Sequence, residues 1–137
     1  GYEQGYDRQG KPDEVLLNDA VVLAKKDAVD VVLAVVGLDE RSESEGLDRS
    51  TMAIPQVQND LVTALAKTGK PVVIVLVAGS PVELPWFDDV AAMLYVGLSG
   101  QAGASATVRA LTGEVNPSGH LAETWPMQYE DCPSSGW

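Results

Sequence analysis

An α/β fold built on a mostly parallel sheet is predicted by three observations. Three short apolar runs, residues 29–36, 71–78 and 91–96, are rich in β-branched residues and do not alternate with polar ones, which is the pattern of strands buried on both faces. Each run leads into a glycine, at Gly37, Gly79 and Gly97. Helical patterns lie between the runs, and alternating helix and buried strand implies parallel strands joined by crossover helices. The expected architecture is a three-layer α/β/α sandwich with an antiparallel edge strand.

The elements follow in chain order. Pro12 and Asp13 form a helix start signal, after which Leu17, Ala20, Val21, Ala24 and Ala28 share one face while Asn18, Asp19, Lys25 and Lys26 take the other. The first strand run ends in a long charged loop, residues 37–49. A second helix has Pro55 in its first turn, Val57, Leu61, Ala64 and Leu65 facing inward, and Gly69 just past its end. Proline at the start and glycine at the finish mark a bounded helix. Residues 82–88 suggest a short helical turn before the third strand. A third helix is expected over residues 101–111, where Ala102, Ala104, Ala106 and Ala110 would let it lie close to a sheet until Gly113 ends it. Asn116-Pro117-Ser118-Gly119 reads as a turn, and residues 121–125 as the edge strand. Without a repeat, a low-complexity stretch or a linker, residues 1–137 read as one domain, with both ends looking cut.

Composition narrows the partners. The 137 residues carry 9 Lys+Arg against 20 Asp+Glu, a formal net charge of −11. Such a surface does not attract phosphate backbones or anionic lipid, so nucleic acid and membrane are not expected partners. A neutral substrate is not repelled. The single cysteine, Cys132, allows neither an internal disulfide nor a cysteine-based metal site. No apolar run approaches the roughly 18–20 residues that span a bilayer, and Gly1-Tyr2-Glu3-Gln4 is no secretory start. The compartment of the parent protein stays open, with a soluble, cytoplasmic protein slightly favoured.

In open α/β sheets, sites form outside the carboxyl ends of the strands. The loop after the first strand is the richest of these places, because it combines Asp39, Glu40, Glu43, Glu45 and Asp48 with Arg41 and Arg49 around Gly46. A loop this long inside a compact domain is commonly functional or disordered. Other motifs carry less. Trp86 follows a strand end and reads as core rather than as an exposed stacking platform. Gly97, Gly100 and Gly103 match neither a dinucleotide fingerprint nor a phosphate loop. His120 has no obvious partners, and no cluster has metal-ligand spacing, so neither cofactor nor metal is expected.

Ser44-Glu45-Gly46-Leu47-Asp48-Arg49, followed by Ile54-Pro55 and Gln58, resembles the Ser-Glu-Gly-x-Asp-Arg signature of the second domain of glycoside hydrolase family 3. Later landmarks keep the same order: Pro71 to Val77, Gly79-Ser80-Pro81-Val82-Glu83 with Trp86, Gly100-Gln101 with Gly103, and Asn116-Pro117-Ser118-Gly119 with Leu121, Thr124 and Pro126. The resemblance covers roughly residues 11 to 135 in one register. It departs at His120, where the family pattern carries arginine.

The resemblance implies the second domain of a retaining, β-glucosidase-like enzyme that hydrolyses terminal β-D-glycosyl residues. A carboxylate nucleophile would come from a preceding barrel domain, and the acid/base from the signature loop, the two carboxyl groups standing about 5–5.5 Å apart. Residue by residue this points to Glu45 as the catalytic acid/base, with Glu43, two residues earlier, as the competing candidate. Either glutamate could instead be an ordinary loop carboxylate paired with Arg41 or Arg49, and Asp48 with Arg49 would brace the loop as a charge pair. No substrate-binding residue is assigned. The implied partners are a β-linked oligosaccharide or glycoside and the barrel domain of the same polypeptide, with a homo-oligomer conceivable through an uncovered sheet edge. The chain alone would then be inactive. A reading from another class, a non-catalytic α/β module that binds carbohydrate or acts structurally, stays open at this point.

Overall fold

The computed structural model describes residues 13–40 and 42–136, so Pro12 of the expected helix start and Arg41 of the charged loop lie outside the described residues. The elements run α1 (Glu14–Ala24), β1 (Val32–Gly37), α2 (Gln56–Ala66), β2 (Val72–Val77), a 3-10 turn (Phe87–Asp89), β3 (Ala92–Tyr95), α3 (Gly103–Leu111) and a second 3-10 turn (Tyr129–Asp131). The sheet has the order β1-β2-β3 and both pairings are parallel. Val32 stands opposite Val72 and Gly37 opposite Val77, while Ile74 faces Met93 and Leu76 faces Tyr95. The α/β class and the parallel sheet are as the sequence predicts.

Local chemistry explains the helix boundaries. Asp13 caps α1, its carboxylate accepting from the backbone N–H groups of Val15 at 3.0 Å and Leu16 at 3.1 Å, donors that would otherwise lack helical partners. Helix α2 begins after Pro55, whose fixed φ and missing N–H suit that place. Its buried stripe is Val57, Gln58, Asn59, Val62 and Leu65, rotated slightly from the expected Val57, Leu61, Ala64 and Leu65. Periodicity alone passes over Gln58 and Asn59 because burial of an amide side chain depends on a partner far along the chain.

One face of the sheet carries the core. Ala34 and Val36 of β1, Val72, Ile74 and Leu76 of β2, Val62 and Leu65 of α2, Ala24 of α1, and Ile54, Ala78, Val82 and Trp86 from the connections form one buried cluster. A fully buried aliphatic side chain contributes on the order of 1.5–3 kcal/mol, so this cluster dominates the stability. Trp86 is part of it, 1% exposed, and its indole N–H donates to Asn59 Oδ1 at 2.8 Å. The core role expected for Trp86 is therefore observed, with a buried amide to receive its one polar group.

Four expectations are corrected. Strand β1 was expected to be buried on both faces, yet Leu33 and Val35 are 51% and 67% exposed; β1 is an edge strand, and α1 and α2 cover only the face that carries Ala34 and Val36. Ala28 lies beyond the end of α1 and is exposed. No residue of α3 is buried, because an alanine-rich face offers too little apolar area to hold a helix onto a sheet unaided. Residues 121–125 form no strand, so the antiparallel edge strand is absent among the described residues. Leu121 is exposed, and Trp125 instead meets Tyr95 of β3 edge to face, with ring centroids 5.0 Å apart. Trp125 also packs against the buried cluster, so apolar side-chain contact and not a hydrogen-bond ladder holds it there.

Candidate functional site

Parallel pairing brings the carboxyl ends of β1 and β2 side by side, so the loop after β1 lies against the turn after β2. The loop is fastened at its root by Gly37. Its N–H donates to Gln58 Oε1 at 2.7 Å and its carbonyl accepts from Gln58 Nε2 at 3.1 Å, both bonds buried. Gly37 has φ +150° and an added Cβ would stand 1.8 Å from the Val77 carbonyl oxygen, so no other residue fits there. Leu38 N–H then donates to Val77 O at 2.9 Å and prolongs the pairing by one residue.

Asp39 shapes the next turn. Its side-chain Oδ1 accepts from the N–H and Oγ of Ser42, both at 3.2 Å, and its backbone carbonyl accepts from Ser42 and Glu43 N–H groups at 3.0 and 2.9 Å. This turn aims Glu43 across the gap to β2. Gly79 N–H donates to Glu43 Oε1 at 3.0 Å and Oε2 at 2.8 Å, and Ser80 Oγ–H donates to Oε1 at 3.0 Å. Arg49 closes the loop from its far end, Nη2 donating to Ser80 Oγ at 2.8 Å and to the Pro81 carbonyl at 3.0 Å. An arginine can only donate, so the Ser80 hydroxyl accepts from Arg49 and spends its own proton on Glu43. Arg49 and Glu43 are thus linked through one hydroxyl, while Arg49 Nη1 is buried with no hydrogen-bond partner among the described residues.

Between these two fastenings the chain turns back on itself. Leu47 N–H donates to Ser44 O at 3.2 Å, with Glu45 and Gly46 at the corner and Gly46 at φ +76°, a value glycine adopts at the second corner position of a type II turn. Glu45 is exposed and makes no hydrogen bond or ion pair among the described residues. Ser42, Glu43, Ser44, Glu45, Leu47 and Asp48 join Arg49, Gly79, Ser80 and Leu98 around an open cleft of about 440 Å³. A depression of about 530 Å³ that shares Asp48 and Arg49 lies beside it, so size does not single out the cleft; it is marked by the loop that carries Glu43 and Glu45.

The structure brings Glu43 and Glu45 to one cleft and gives them different surroundings. The charge pair expected between Asp48 and Arg49 is not formed among the described residues; Arg49 serves Ser80 and Pro81 instead. Sequence reasoning passed over Gly79, Ser80 and Gln58 as parts of the site. All three fall within the quoted landmarks, but a hydroxyl and an amide carry no mark of their partners until the strands are paired. No group of three or more His, Cys, Asp or Glu among the described residues is placed to hold a metal ion. His120 is exposed, and Cys132 lies with its sulfur 3.8 Å from that of Met52, away from the cleft.

A parallel α/β sheet whose longest carboxyl-end loop holds one carboxylate fast and presents another to solvent is an open α/β domain with its candidate site where ligand sites form in such sheets. Residues 11–136 match the glycosyl hydrolase family 3 C-terminal domain, and the chain belongs to that family. It is 46% identical over 134 residues to a thermostable β-glucosidase B of Acetivibrio thermocellus, covering 97% of this chain and 18% of that protein. Its fold is similar to that of the crystal structure of a family 3 β-glucosidase of Bifidobacterium adolescentis, with a TM-score of 0.85 at 43% identity, over 95% of this chain and 19% of the other. A β-glucosidase of Kluyveromyces marxianus crystallised with glucose gives the same TM-score of 0.85 at 35% identity, over 92% of this chain and 15% of the other. The chain thus spans less than a fifth of the length of the relatives it matches. Among the described residues no helix is long and apolar enough to cross a membrane.

Proposed function

We propose that this chain is the second-domain portion of a retaining β-glucosidase and that Glu45 supplies the acid/base. The observation that carries the reading is the division of labour in the loop: Glu43 is occupied by Gly79 and Ser80, whereas Glu45 stands free at the tip in the family's signature position. A group that must exchange a proton with substrate needs unspent lone pairs and access.

The mechanism follows from the family's two-carboxylate chemistry. A carboxylate of the barrel domain attacks the anomeric carbon. The bond from that carbon to the leaving oxygen breaks, and the Glu45 proton passes to the departing oxygen. Water then attacks the glycosyl-enzyme, Glu45 takes its proton, and the sugar leaves with its configuration retained. With the nucleophile contributed by another domain, the chain alone has half of the reacting groups and does not turn over substrate. A terminal, non-reducing β-glucosyl unit is the substrate class, and neither metal nor cofactor takes part in the steps.

Two measurements test the reading. An aryl β-glucoside is offered to the 137-residue chain and, side by side, to the full-length protein that contains it; cleavage by the full-length protein alone is expected, and turnover by the isolated chain overturns the divided site. In the full-length protein, Glu45→Gln is expected to lower kcat/KM for alkyl glucosides about 10²–10⁴-fold, while activated aryl glucosides, which leave without protonation, keep theirs. Azide should restore turnover of the activated substrates. Equal, near-normal kinetics on both substrate types would instead favour a non-catalytic module.

A further inference from the structure

We infer that Glu43 is the positioning residue of this site: through Gly79 and Ser80 it locks the Glu45 turn onto the carboxyl end of β2. The inference rests on the reading of Glu45 as the acid/base. Its own basis is geometric. The carboxylate of Glu43 receives two donors through three contacts, the Gly79 N–H shared between its two oxygens at 3.0 and 2.8 Å and the Ser80 Oγ–H at 3.0 Å, across 36 and 37 positions of sequence. Hydrogen bonds to an ionised acceptor are about twice as strong as neutral ones. Ser80 carries the same linkage onward to Arg49, so one hydroxyl ties together the two arms that flank the tip, one residue before Ser44 and one residue after Asp48.

The tip itself has little else to hold it. Residues 44–48 are all exposed, and among the described residues the tip is closed on itself by the Ser44–Leu47 bridge, with Leu47 N–H donating to Ser44 O. A short exposed turn of this kind takes its orientation from its two ends. General acid catalysis requires the donor within about 2.6–3.2 Å of the leaving oxygen, and a displacement of about 1 Å in a reacting group can cost on the order of 10²-fold in rate. Glu43, Ser80 and Arg49 therefore set where the Glu45 carboxyl group meets substrate, although none of them exchanges a proton with it. The two glutamates of the loop divide the work, the first holding and the second reacting.

The test uses the full-length protein and compares Glu43→Ala, Glu43→Gln and Ser80→Ala with Glu45→Gln. Glu43→Ala is expected to lower kcat/KM for alkyl glucosides about 10–100-fold and to change that for dinitrophenyl glucoside by less than about 3-fold, because the activated substrate does not need the proton. Glu43→Gln keeps one acceptor oxygen and should recover most of the loss, and Ser80→Ala, which leaves the backbone contact to Gly79 intact, should show the same selectivity at smaller size. If Glu43→Ala does not fold, Ser80→Ala carries the decision. A loss shared equally by both substrates, or a lowered Tm with unchanged leaving-group dependence, overturns the positioning role while leaving Glu45 in place. Absence of leaving-group dependence in Glu45→Gln overturns the acid/base reading and this inference with it.

Discussion

The root and the tip of the loop after β1 are a few residues apart and live under opposite rules. At the root, Gly37 is buried, pinned by both ends of the Gln58 amide and pressed against Val77. At the tip, Glu45 and Gly46 face solvent, and a Cβ added at Gly46 would meet nothing within 4 Å. The interactions are concentrated in the buried root and not in the exposed tip. A loop arranged in this way holds its tip in place without burying it, which suits the acid/base role proposed for Glu45.

Substitutions along the loop can break or sharpen this contrast, and they are expected to grade from root to tip in thermal or denaturant unfolding of the chain. Gly37→Ala should be the most damaging, about 3 kcal/mol or more, since the new methyl collides with backbone rather than with a side chain that can swing away. Gln58→Ala comes next, at about 1–3 kcal/mol, because it strands the buried N–H and carbonyl of Gly37. Gly46→Ala should cost about 1–2 kcal/mol, the strain of a left-handed backbone with no steric clash added. Glu45→Gln should shift stability by no more than about 0.5 kcal/mol, as for other exposed residues without partners. A large stability loss from Glu45→Gln, or a silent Gln58→Ala, would erase the distinction between root and tip.

The same contrast explains which parts of the molecule were legible in advance. The central strand β2 buries Val72, Ile74 and Leu76 on one face and Val75 on the other, with Val73 and Val77 half-buried, as its unbroken apolar run suggested. Strand β1 carries the same kind of run, yet Leu33 and Val35 are open, because apolar composition reports what a face can bury and not whether anything arrives to cover it. Residues 121–125 had strand-like composition and made no ladder; Trp125 packs against Tyr95 and the buried cluster instead. In the site, the signature pattern pointed to Glu45, while the two donors that occupy Glu43 came from Gly79 and Ser80, residues with no sequence mark of that purpose.

What the sequence by itself determined is local: Asp13 as a cap, α2 between Pro55 and Gly69, three strand runs each ending at a glycine, and a carboxylate-rich loop after the first of them. These follow from backbone preferences and periodicity, which act within a few residues. The tertiary structure alone decided which of two glutamates is bound and which is free. Gly79 lies 36 residues from Glu43, and only parallel pairing of β1 with β2 brings its N–H to the carboxylate, so the choice is made by the sheet and not by the loop.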